Sequence, residues 1–222
     1  YPICLFSINY FQKESIPTER KIIESKNLKF VLRDKLFFIY LSLSAIPPSI
    51  MTAAFFFQQD LFKINNWNFS FVAIAIFMYA LFKLISTLFV GPIIDRYGII
   101  RPLFFLTFSL GLASLISSFH GNTYIAYIYY SLYGIGIGCA GPTMSYLWAK
   151  LYGDKHIGEI KGFIAIIRNG STAVTPFIFA LMNSSLQLSF TSIFFFSGLL
   201  IISLSFLPFL LSKIDLRLLK NT

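Results

Sequence analysis

Charge is scarce in this chain of 222 residues: Lys, Arg, Asp and Glu together make up 12% of it, against about 25% in a soluble domain. With 56% hydrophobic and 18% aromatic residues, there is too little polar surface to cover a water-soluble core. The solvent for this chain is therefore lipid. Histidine is scarcer still, with His120 and His156 alone. His156 and Glu159 form H-x-x-E, which lacks the further ligands of a zinc site. No G-x-S-x-G, HExxH or Walker pattern occurs. These absences argue against an enzyme, and no catalytic residue, metal site or cofactor is expected. Two cysteines, Cys4 and Cys139, exclude a disulfide framework and a CxxC site. No signal-peptide layout and no convincing internal repeat are visible.

The sequence does have long apolar runs. A bilayer core takes about 20 apolar residues of helix, and six stretches qualify: Leu36 to Gln58, Phe71 to Ile94, Pro102 to Phe119, Tyr124 to Trp148, Phe163 to Met182 and Phe190 to Leu211. The alternation of a membrane barrel is absent, so helices, which pair their backbone groups internally, are the expected form. Residues 36–212 are read as a six-helix transmembrane bundle. Residues 12–35 read as a polar linker with a helical turn or two near Leu28 to Leu32. Residues 213–222 form a tail. The chain opens at Tyr1 with an apolar stretch too short to span, so residues 1–11 are expected to be the end of a preceding transmembrane helix. The sequence reads as a fragment.

Net charge is +9, yet the basic residues lie between the apolar runs rather than on one face, which argues against nucleic acid as a partner. Fifteen of them fall on one side of the expected bundle: seven in the linker, two at Arg96 and Arg101, three at Lys150, Lys155 and Lys161, and three in the tail. The other side has Lys63 alone. This bias places the linker and the carboxy terminus in the cytoplasm, in a plasma or inner membrane. Trp67 and Trp148 fall at opposite interfaces, as amphipathic rings prefer.

Between the second and third runs the sequence reads Gly91-Pro-Ile-Ile-Asp95-Arg96-Tyr-Gly98-Ile-Ile-Arg101-Pro102. Gly91 permits close approach of two helices and Gly98 a tight reversal. Asp95 is suited to accept from arginines or from a helix amino terminus, and Pro102 suits a first helical turn. A short basic loop obeying the charge rule is the plain alternative. In this setting the pattern resembles the signature loop of the major facilitator superfamily, with Pro102 replacing the second of a terminal basic pair. The loop after the fourth run, Tyr152-Gly153-Asp-Lys-His156-Ile-Gly158, is similar to the corresponding loop of monocarboxylate and oxalate/formate-type members.

The resemblance implies an all-α polytopic membrane protein whose six helices form one half of a twelve-helix major facilitator fold. The long basic linker before the runs suits the carboxy-terminal half, with an amino-terminal six-helix half as the missing partner. It further implies a secondary active transporter working by alternating access on a small solute. Asp95 would then have a partner in the other half, while local pairing with Arg96 or Arg101 stays open.

The runs themselves contain no Asp or Glu and two cations. Lys83 lies 13 positions from Ser70 and 12 from Asp95, near the midplane, where a cation costs roughly 3 kcal/mol or more. Tyr79, Ser86 and Thr87 share its face at i−4, i+3 and i+4, a polar stripe expected to line an aqueous cavity. Arg168 sits about two turns inside the fifth run, with Ser171, Thr172 and Thr175 on its side. A snorkelling or loop-pairing role for Arg168, or a carboxylate from the other half for Lys83, are the structural alternatives. By resemblance, Lys83 and Arg168, with Tyr79, Thr87 and Thr172, would bind a small organic anion such as a monocarboxylate. A non-transporting receptor or regulatory protein of the same fold is the alternative function.

Overall fold

The computed structural model describes residues 28–119 and 123–214. The expected helix end at 1–11, most of the 12–35 linker, His120 and the last eight residues of the tail lie outside the described residues. Six long helices follow one another: α1 (Lys35–Phe56), α2 (Phe69–Tyr97), α3 (Ile100–Ser117), α4 (Thr123–Tyr152), α5 (Ile157–Ser185) and α6 (Phe190–Ser205). Short helices cover Leu28–Val31, where the linker was expected to turn helical, Gln58–Asn65 and Leu207–Ile214. The described residues contain no strand.

Five segments are long and apolar enough to cross a membrane: Lys35–Phe56, Ser70–Tyr97, Ile100–Ser117, Ile157–Ser185 and Phe190–Leu211. The sixth expected span, α4, is 30 residues long but falls short on apolarity. Its tyrosines and glycines dilute the Ile and Leu content, and it is instead the helix against which its neighbours pack. Two expected spans are broken near one end. The first stops at Phe56 and restarts as Gln58–Asn65, and the last breaks at Phe206.

The helix ends have local causes. Asp34 caps α1, its Oδ1 accepting from Leu36 N–H at 3.0 Å, and Ser189 caps α6 through Ser192 N–H at 3.2 Å. Gly98 (φ 74°) and Gly153 (φ 78°) close α2 and α4 in a conformation that a side chain disfavours. The expected reversal at Gly98 is thus present, and Pro102 sits in the first turn of α3. Within the spans, hydroxyls fold back onto their own helix: Ser49 donates to Ala45 O at 2.6 Å, Thr107 to Leu103 O at 2.8 Å and Thr175 to Ser171 O at 2.7 Å. That is how a hydroxyl is satisfied where water is absent.

Packing runs chiefly α2 on α4, α3 on α4 and α6, and α1 on α5. Ser114 on α3 donates to Phe194 O on α6 at 3.2 Å. Each end of the bundle carries an aromatic cluster. At one, Trp67 packs on Phe62, Phe71 and Tyr129, and Phe57 meets Phe190 at 4.5 Å between centroids. At the other, Phe37 of α1 packs on Trp148 and Tyr152 of α4. The two tryptophans therefore do occupy opposite ends.

Candidate functional site

Lys83 is the central residue of α2, fourteen positions from both Phe69 and Tyr97, or about 21 Å from either end at 1.5 Å per residue. Its side chain is exposed on this bundle, with Nζ 5.8 Å from the Tyr79 ring centroid. It forms no ion pair with any described residue. Tyr79 is half-buried and packs edge-on against Phe55 of α1 at 5.2 Å.

The rest of the polar stripe is committed to helix packing. Thr87 donates to Lys83 O (2.8 Å) and towards Gly138 O on α4 (3.1 Å). Ser86 donates to Phe82 O (2.7 Å), with Gly134 O of α4 at 3.4 Å. These contacts need Gly134 and Gly138. A Cβ at Gly134 would collide with the Tyr79 carbonyl, and one at Gly138 with the Ser86 hydroxyl and the Lys83 carbonyl. A glycine pair four residues apart lets two backbones meet in this way. Lys83, at the middle of α2, is therefore mounted on a close α2–α4 crossing, which fixes its backbone and leaves its side chain exposed.

Arg168 lies on α5, eleven residues past Ile157 and three short of the helix midpoint. α5 begins six residues before the apolar run, so more of the helix precedes Arg168 than the run alone supplies. Arg168 is exposed and forms no ion pair with a described residue. Nearby, Thr172 donates to Asn169 O at 2.8 Å, so its hydroxyl proton is spent while its oxygen lone pairs remain. Arg168 borders a cavity of about 300 Å³ whose walls include Leu43, Leu106, Leu110, Ile137 and Met144. Lys83 is not part of that cavity, so the two cations stand on separate walls, α2 on the α4 side and α5 on the α1 side.

The helices bearing the cations are also the barest: 11% of the most apolar 18 residues of α2 and of α5 is buried, against 61% for α1 and 56% for α3. In water or lipid alone this coverage would leave Lys83 among Leu84, Ile85 and Leu88, all exposed apolar neighbours.

At the turn between α2 and α3, Asp95 makes no hydrogen bond or ion pair with a described residue. The guanidinium groups of Arg96 and Arg101 lie instead over the Tyr97 ring, at 5.4 and 4.9 Å from its centroid. The local pairing of Asp95 with these arginines is thus not present. Gly91 differs from its expected role as well, because a Cβ there would meet nothing within 4 Å. Its small size serves no helix crossing within this bundle.

The cavity beside Arg168 had no signature in the sequence. Its lining comes from four helices, α1, α3, α4 and α5, brought together only in the folded bundle, and only the small run Ala140-Gly141 before Pro142 hints at open space. Among known families, the Major Facilitator Superfamily model matches residues 2–176. No curated protein and no solved structure matches the chain.

Proposed function

The chain belongs to the Major Facilitator Superfamily and is an integral membrane transporter; from that premise we propose that its solute is a small organic anion, of the monocarboxylate type, bound by Lys83 and Arg168. The observation that carries the reading is Lys83 itself. An ammonium halfway along a membrane helix, exposed and without a counter-ion among the described residues, is tolerable only where water or an anion reaches it. Arg168, near the middle of the second bare helix, offers a planar fork of donors suited to a carboxylate. Tyr79, Thr87 and Thr172 border the two cations and set their surroundings.

In this reading a second six-helix bundle faces α2 and α5, and the two bundles rock about a solute held near the midplane. The present bundle is the carboxy-terminal one, with the linker and the tail in the cytoplasm. Asp95 then acts across the bundles, consistent with its freedom here from Arg96 and Arg101. Uptake of radiolabelled acetate, lactate or pyruvate into proteoliposomes by the transporter tests the proposal. Saturable uptake of at least one supports it. Uptake confined to cations or neutral sugars overturns it.

A further inference from the structure

Resting on the anion reading, we infer that the cavity beside Arg168 is an apolar subsite that takes the hydrocarbon tail of a carboxylate whose head group meets the guanidinium. At about 300 Å³ it falls at the lower end of small-molecule sites, which run from about 300 to 1,000 Å³. Its walls are aliphatic, from Leu43, Leu106, Leu110, Ile137 and Met144. The hydroxyl that borders it, Ser44, already donates to Leu41 O at 2.8 Å. Water needs two to four polar partners to be held in a cavity, and these walls do not supply them. Arg168 alone brings unspent donors, and it lies at the border of the cavity. One cation beside an apolar recess is complementary to an amphipathic monoanion, not to a compact dianion such as oxalate.

The glycine at its edge fits the same reading. Gly141 borders the recess, and a Cβ built on it meets nothing within 4 Å. This glycine, unlike Gly134 and Gly138, is not needed for a helix crossing. What its missing side chain leaves is open volume. The recess runs into the bundle between α1, α3 and α4.

The test is competition by straight-chain carboxylates, from acetate to octanoate, against uptake by the reconstituted transporter. Each methylene buried is worth about fourfold in affinity, so inhibition should strengthen by about that factor per carbon until the recess is full, then level off. Gly141→Leu should cut the affinity for hexanoate at least tenfold more than that for acetate. Leu106→Ala, which enlarges the recess, should move the plateau to longer chains. A flat chain-length profile in the wild type overturns the subsite, as does an equal loss for acetate and hexanoate in Gly141→Leu. Hexanol competing as well as hexanoate would make the recess a seat for lipid chains and likewise overturn it. Failure of every carboxylate, acetate included, would reject the anion reading itself, an outcome distinct from a flat profile.

Discussion

The Thr87 hydroxyl reaches the Gly138 carbonyl across the α2–α4 crossing, 3.1 Å away, and that carbonyl is open because Pro142, four residues on, has no N–H to offer it. In a lone helix the proline would leave an unsatisfied acceptor inside the membrane. Here a neighbouring helix fills the gap, in a place where glycine lets the backbones approach. The same crossing carries Lys83, so the chemistry of the cation and the packing of the proline helix meet at one point.

Removing that hydroxyl while keeping its shape, by Thr87→Val, should lower stability by about 0.6 kcal/mol, the average for hydrogen bonds between membrane helices. Gly138→Leu should cost far more, because its side chain has to displace Ser86 and the Lys83 backbone. Gly91→Ala, with open space around it, should be neutral. Thermal unfolding in detergent ranks the three. Equal effects at 138 and 91 would contradict the close crossing.

Lys83→Gln should abolish anion uptake, while Lys83→Arg should keep part of it. A Cys placed at 83 should react with a water-soluble maleimide, and saturating substrate should slow that reaction. Full uptake by the Gln variant, or a Cys at 83 that stays unreactive, would remove Lys83 from the site.

Much of this architecture was legible because residue type alone decides it. Apolar runs of span length become helices in lipid, and Lys83 sits centrally by simple counting. Thr87 shows where the reading stopped. Helical spacing places it on the Lys83 face, but spacing does not say which neighbour covers that face, and the hydroxyl turns out to serve α4. Gly91 and Gly138 make the same point. Both are glycines in membrane helices, yet only the tertiary crossing reveals that one is indispensable and the other stands in the open. Arg168 lies further along its helix than along its apolar run, because a helix need not end where its apolar run ends. Polar residues such as Glu159 and Lys161 continue α5 beyond the lipid-compatible stretch.

Orientation can be checked in a Cys4→Ser, Cys139→Ala background. Lys63 and Lys155 are both exposed, at opposite ends of the bundle. Lys63→Cys should react with an impermeant maleimide on intact cells, and Lys155→Cys only after permeabilisation. The reverse pattern would overturn the cytoplasmic placement of the basic loops.

Asp34 caps α1 and also accepts from the Tyr152 hydroxyl of α4 at 3.3 Å through its second oxygen. Asp34→Ala should therefore cost about 1 kcal/mol for the lost cap and an added increment for the lost tie. Tyr152→Phe should remove only the increment. A double-mutant cycle on unfolding free energies isolates it; a coupling of zero would show that the tie contributes nothing.

The α2–α4 crossing also bears on how the polypeptide is made. Thr87 and Gly138 are 51 residues apart, which at roughly 5–20 residues per second amounts to about 3–10 s of translation. For that interval the nascent second helix holds its lysine in the bilayer without its later companion. Only the mean hydropathy of 2.1 over its most apolar 18 residues keeps it there. Trimming bulky apolar residues around Lys83 would then lower the yield of inserted protein at the ribosome, before any finished molecule is available to be assayed.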